Sequence, residues 1–255
     1  MPTMEKIAIT VFNKIKKPSF LFLHGLPERY NNLDDNRTNY LIVWGEKIKE
    51  NYVHHGVSPE KIFISGHPYY SSFKKGDLRF SFDNILVITY ALSGGQPRSN
   101  SYQLKDRGRA ILYLYSIQSV LQKIGIKSVR FRPHPSESGL WYQRYIDTKF
   151  YFLDNESLCD SLKKTSLVIG SASTVILEAI YYGVNYILYE PVINNISLEG
   201  ERLVPPFDGS DKRLPVANDE DSLLYILKNR IKIDTSIWDA YIKTPFDISF
   251  IKTLI

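Results

Sequence analysis

Three polar segments interrupt apolar stretches of this chain where chemistry could be held. The first is Pro133-His134-Pro135, which ends the alternation of Val129 and Phe131 with Arg130 and Arg132. Proline cannot donate to a sheet ladder, so Pro133 stops strand pairing and both prolines stiffen the backbone around His134. An imidazole held in this way can donate to a phosphate oxygen or act as an acid; the plain alternative is a surface histidine in a stiff turn. The second is Ser93-Gly94-Gly95-Gln96-Pro97-Arg98. Gly94 and Gly95 let a backbone approach a ligand closely, and Arg98 can pair with phosphate. The segment is neither a Walker A loop nor GxGxxG, so a flexible turn is equally open. The third is GSASTVILEA, residues 170–179. Here Ser171, Ser173 and Thr174 precede a helical pattern whose first-turn amides suit an anion. Glu178 comes too late for a capping box begun at Ser173, which leaves it a candidate to face a ligand from the second turn.

The elements that must position these segments follow from periodicity. Short runs rich in Ile, Val, Phe and Tyr alternate with helical stretches, the pattern of parallel βαβ units. Strands are expected at 19–23, 40–44, 61–65, 85–90, 128–132, 149–153, 167–169 and 185–189, and helices at 46–55, 104–124, 157–164 and 173–182, the last closed by Gly183. A further helical region begins near 219. Turn residues and charge replace periodicity over 66–84, the expected linker. The fold class is α/β with parallel sheets, and such sheets bind ligands beyond the carboxyl ends of their strands. All three polar segments lie at such ends, so one phosphorylated ligand could meet them together.

Composition narrows the class. The 255 residues are 44% hydrophobic and 23% charged, as in a folded globular chain. No apolar run approaches the roughly 18 residues that span a bilayer, and MPTMEKIAIT lacks a signal-peptide order, so a cytoplasmic location is expected. Thirty-two Lys and Arg against 27 Asp and Glu give a charge of +5 that favours anionic partners. The basic residues are scattered rather than clustered, which argues against nucleic acid. Cys159, the single cysteine, excludes an internal disulfide and a cysteine-cluster zinc site. His54-His55 close an amphipathic helix, and His67 reads as structural beside Pro68. The 18 Tyr and 13 Phe fall largely at core spacing.

RPHPSE followed by LVIGSASTVILEAIYYGVNYILYEP resembles the carboxyl-terminal half of GT-B glycosyltransferases that build bacterial surface polysaccharides. The segments are similar to the HP and Ser-Ser/Thr motifs of bacterial sialyl- and polysialyltransferases and to the CDP-glycerol glycerophosphotransferase family. That resemblance implies that His134, Ser171, Ser173 and Thr174 hold the phosphate of a CMP- or CDP-activated donor. FLFLHGLPERY and YLIVWGEKIKENYVHHGVSPEKIFISGHP resemble the amino-terminal domain of the same enzymes. There the His-Gly-x-Pro pattern implies His24 as a general base. The sialyltransferases also carry an acidic pair followed by glycine, whereas Asp34-Asp35 is followed here by Asn36.

The resemblance implies a GT-B-like architecture of two Rossmann-like domains. Residues 1–75 would form a short, partial acceptor-side domain, and residues 76–255 a nucleotide-donor domain. The expected activity is metal-independent transfer of a sugar or polyol phosphate from a CMP/CDP- or UDP-activated donor to capsule, O-antigen or a similar glycan. No cofactor is expected beyond the donor substrate. The expected partners are the donor and a glycan or lipid-linked acceptor at the periphery of the inner membrane. A UDP-GlcNAc 2-epimerase-like enzyme and a non-catalytic nucleotide- or glycan-binding module are the alternatives.

Overall fold

The computed structural model describes residues 4–27, 30, 37–73, 76–89, 107–135, 137–193, 196–197 and 203–255. The chain divides into two compact units, residues 1–75 with 235–255, and residues 76–234. The sequence-based expectation is a second domain that runs to residue 255. Residues 235–255 instead belong with the first unit, where Ile237, Trp238 and Tyr241 are buried and the short helix Trp238–Tyr241 packs on Glu46–His54.

In the first unit, helix α1 (Met4–Lys14) precedes strands β1 (Phe20–Phe22) and β2 (Tyr40–Val43), helix α2 (Glu46–His54) and strand β3 (Ile62–Ile64). The three strands pair in parallel in the order β1-β2-β3, with Leu21 opposite Leu41 and Ile42 opposite Phe63. Leu41, Ile42 and Val43 are buried because β2 is the central strand of the three. Ile48 and Tyr52, four residues apart, are the buried side of α2. Gly45 opens that helix where a Cβ would collide with the backbone of Tyr241, so the C-terminal segment is seated against a position only glycine can fill.

The second unit carries β4 (Ile85–Ile88), α3 (Arg107–Lys123), β5 (Val129–Arg132), α4 (Gly139–Tyr142), β6 (Tyr151–Leu153), α5 (Leu158–Lys164) and β7 (Leu167–Gly170). It continues with α6 (Val175–Tyr181), β8 (Asn185–Tyr189), β9 (Val192–Ile193), β10 (Ile196–Ser197), β11 (Val216–Ala217) and α7 (Glu220–Asn229). Its main sheet runs β11-β8-β7-β4-β5-β6 with every neighbour parallel. From β4 the chain steps outward through β5 and β6, then returns to β7 on the other side of β4 and steps outward through β8 to β11. The adjacent ends of β4 and β7 are therefore a topological switch point, where open α/β sheets hold ligands.

Burial follows this order. Every residue of β4, β7 and β8 is buried, whereas β5 alternates, hiding Val129 and Phe131 and leaving Arg130 and Arg132 half-exposed. Ala110, Tyr113, Leu114, Ile117, Val120 and Leu121 of α3 recur at helical spacing and share one core with Leu223, Ile226 and Leu227 of α7. The arginines of β5 converge on Asp154 beyond β6. Arg132 reaches its carboxylate at 3.3 Å and Arg130 at 3.9 Å, and Ser161 donates to it from α5.

Candidate functional site

The turn between β7 and α6 is clamped from inside the sheet. The carbonyl of Ser171 accepts the phenol of Tyr186 at 2.5 Å, and the amide of Ala172 donates to the carboxylate of Glu190. Both clamping side chains are buried, Glu190 completely. Burial, and secondarily the charge of Glu190, push the Tyr186 phenol well above its ordinary pKa. A Cβ on Gly170 would collide with the Tyr186 hydroxyl and with Ile88 of β4, so glycine lets β4, β7 and β8 close together directly beneath the turn.

Helix α6 begins later than periodicity suggests. Thr174 occupies its N-cap position without a side-chain capping bond, and the Ser173 hydroxyl accepts the Val175 amide at 3.3 Å. The amides of Ile176 and Leu177 donate to the carbonyls of Ser173 and Thr174 at 3.2 and 2.9 Å. With Ala172 held by Glu190, these amides are engaged inside the turn, so the hydroxyls carry more of what the segment offers a ligand than expected. Ser171 is buried, while Ser173 and Thr174 are half-exposed. Glu178 lies one helical turn beyond Thr174, between the buried Leu177 and Ala179, and is half-exposed itself.

His134 follows β5, on the other side of β4 from β7. It is half-exposed, and its carbonyl accepts the Glu137 amide at 2.8 Å, closing the turn that the prolines stiffen. The topology thus brings His134 and the Ser171–Thr174 turn to one edge of one sheet, flanking the end of β4. At that end Thr89 is buried, and its hydroxyl has no hydrogen-bond partner among the described residues. Gly94, Gly95 and Arg98, expected on the same rim, lie outside the described residues, as does Asp34-Asp35-Asn36.

His24 belongs to the first unit. It follows β1 and is exposed, and the indole of Trp44 donates to the carbonyl of Leu23 at 3.0 Å, fixing the backbone just before it. His67, at the end of β3, has a different task. Its Nδ1 accepts the amides of Tyr69 and Tyr70 at 3.1 and 3.2 Å, and its ring stacks on Tyr70 with centroids 4.3 Å apart. Burial lowers its pKa, and the accepting Nδ1 leaves the proton of the neutral ring on Nε2. His55 donates from Nδ1 to the Asn51 carbonyl at 2.7 Å, closing α2. Among the described residues no group of three His, Cys, Asp or Glu is arranged to hold a metal, and no helix is long and apolar enough to cross a membrane.

Sequence reasoning missed Glu190, Tyr186 and Thr89. Glu190 had a signal, since a carboxylate directly ends the apolar NYILY strand and is followed by proline. Tyr186 and Thr89 had none that separates them from core residues.

No family model and no curated protein matches this chain. Solved structures do. UDP-GlcNAc 2-epimerase of Methanocaldococcus jannaschii in complex with UDP-GlcNAc and UDP aligns over 96% of this chain and 71% of its own, at 15% identity and a TM-score of 0.58. UDP-GlcNAc 2-epimerase of Neisseria meningitidis bound to UDP-GlcNAc aligns over 99% and 74%, at 12% identity and a TM-score of 0.56. The MnaA–UDP structure from S. aureus aligns over 95% and 68%, at 9% identity and a TM-score of 0.55. At such identities the likeness is one of architecture: the chain has an α/β, GT-B-like fold with parallel sheets.

Proposed function

We propose that this protein is a nucleotide-sugar enzyme whose second unit holds the donor phosphates, and that it transfers the sugar, or a polyol phosphate, to a growing surface glycan. The observation that carries the reading is the switch point. His134 and the hydroxyls of Ser173 and Thr174 flank the end of β4, the place where this topology receives ligands. Held there, they would stabilise the charge that develops on a leaving nucleoside phosphate, which is electrostatic catalysis without a covalent intermediate. Gly94, Gly95, Arg98, Ser171 and Glu178 complete the proposed donor set. His24 is proposed as the base for the acceptor hydroxyl, and the resemblance of its His-Gly-x-Pro segment supports that role. The donor is a CMP/CDP- or UDP-activated sugar, and transfer needs no metal.

A second reading has a specific observation in its favour. The structural neighbours described above include UDP-GlcNAc 2-epimerases, which share the fold.

Thermal unfolding with CMP, CDP, UDP and GDP tests the shared core of both readings, because a ligand bound only by the folded state stabilises it. A shift with a pyrimidine nucleotide, reduced in His134→Ala, is expected; no shift with any of the four would sink both. Incubation with UDP-GlcNAc and no acceptor then separates them, since only an epimerase yields a C2-inverted product. Turnover unaffected by a chelator is expected for metal-free transfer, and donor turnover unchanged in His134→Ala overturns its assignment.

A further inference from the structure

The observation with the least use inside the fold is helix α1. Met4 is 83% exposed, Ile7 46%, Val11 49% and Ile15 58%, and Phe12 is exposed beside them. At 100° per residue these positions fall on one face, so the apolar stripe of the helix points into solvent. An isolated helix of this length is marginal in water, and burial of its apolar stripe is what ordinarily stabilises one.

Charge identifies the occupant. Between Glu5 and Glu28 the sequence has Lys6, Lys14, Lys16 and Lys17 and no Asp or Glu. The exposed Lys14, Lys16 and Lys17 crowd the end of α1. The chain turns there with Lys16 at φ 52°, the Lys16 amide bonded to Asn13 at 3.2 Å and the Lys17 amide to Phe12 at 3.0 Å. That is a Schellman stop carrying lysine where glycine is usual. Lysines at a helix C-terminus also suit its dipole. The dipole does not call for an apolar stripe in water or for over 20 residues without an acid, and a second copy of α1 would bring only Glu5 against Lys6, Lys14, Lys16 and Lys17.

We propose that α1 is an in-plane docking helix for an anionic lipid surface, with Ile7, Val11 and Ile15 entering the acyl boundary and Lys14, Lys16 and Lys17 meeting the headgroups. At about 16 Å the helix suits lying in the interface, and spanning is beyond its reach. The proposal is independent of the donor chemistry.

Co-sedimentation of the full chain with vesicles mixing phosphatidylglycerol and phosphatidylcholine, against pure phosphatidylcholine, tests it. Binding to the anionic vesicles, weakened by salt, is expected. Ile7→Asp with Val11→Asp should reduce it at least about tenfold, and Lys14, Lys16 and Lys17 changed to Gln by roughly a hundredfold. All these side chains are exposed, so circular dichroism should show both variants folded. Val11→Trp should show a blue-shifted emission only with the anionic vesicles. No vesicle binding by the wild type, binding equal in both variants, or a dimer that Ile7→Asp with Val11→Asp dissolves without vesicle binding would each overturn the proposal.

Discussion

The phenol of Tyr186 donates to the carbonyl of Ser171 at 2.5 Å, tying the second residue of β8 to the turn that leaves β7. Tyr186→Phe keeps the ring and strands a buried carbonyl. A loss of about 1–2 kcal/mol is expected in urea unfolding. The pH dependence has a definite sign. Because the folded phenol holds its proton well above pH 10, the unfolded chain ionises first, and stability falls as pH rises past the ordinary tyrosine value. Burial raises Tyr151 in the same way and pushes Tyr189 up to about 12, so the second unit should be alkali-labile. The Phe variant should show a shallower alkaline decline than the wild type; parallel curves would remove Tyr186 from that account.

Gly170→Ala places a methyl between Ile88 of β4 and the Tyr186 hydroxyl. All four residues of β7 are buried, so neither strand can move aside without opening the sheet at the switch point. A loss of about 1–3 kcal/mol is expected, the range of an overpacked core. The nucleotide-induced thermal shift should shrink by more than Gly183→Ala shrinks it. Gly183, unlike Gly170, has a positive φ, but it has open space beside it and sits at the far end of α6.

These positions show what was legible in advance. Strand β8 is found where expected, at residues 185–189, because five apolar or aromatic residues lie between glycine and glutamate. Helix α6 starts at Val175 rather than 173, because Ser173 turns its hydroxyl and carbonyl onto the following amides, a competition typical of short hydroxyl side chains. The sharing of one sheet edge by His134 and Ser171–Thr174 was legible from the alternation of strands and helices. The return of 235–255 to the first unit was not. Trp238–Tyr241 is a single turn without periodicity, and its place depends on the missing side chain of Gly45, almost 200 residues earlier. Helix α1 escaped for the opposite reason: its pattern is amphipathic, but no burial follows from it.

Glu190 sets a charge beneath the turn that we propose receives a phosphate. Glu190→Gln retains an acceptor for the Ala172 amide, whereas Glu190→Leu leaves that amide unpaired and buried. The Leu variant should lose about 2 kcal/mol and the Gln variant less than about 1. Removing the charge should also raise nucleotide affinity a few-fold in the Gln variant, measured by calorimetry. Equal affinity in Gln and wild type would mean that the phosphate does not sit above this turn.

His67 should make the first unit acid-sensitive. Its Nδ1 is occupied by the amides of Tyr69 and Tyr70, and burial holds its pKa below the ordinary 6.5. A histidine that binds its proton less readily when folded favours the native state above its unfolded pKa. As pH falls below about 6.5 the unfolded chain protonates first, and that stability drains away toward the depressed folded value. His67→Phe keeps a ring against Tyr70 but offers the two amides no acceptor, at a cost of about 1 kcal/mol near neutrality. Urea midpoints of wild type and variant at about pH 7.5 and about pH 5.5 give the test. The other four histidines are the same in both proteins, so whatever they contribute cancels in the difference. The gap between wild type and variant should therefore narrow at the lower pH. A gap of constant size would show that folding does not lower the pKa of His67, and the acid sensitivity would have to be sought elsewhere.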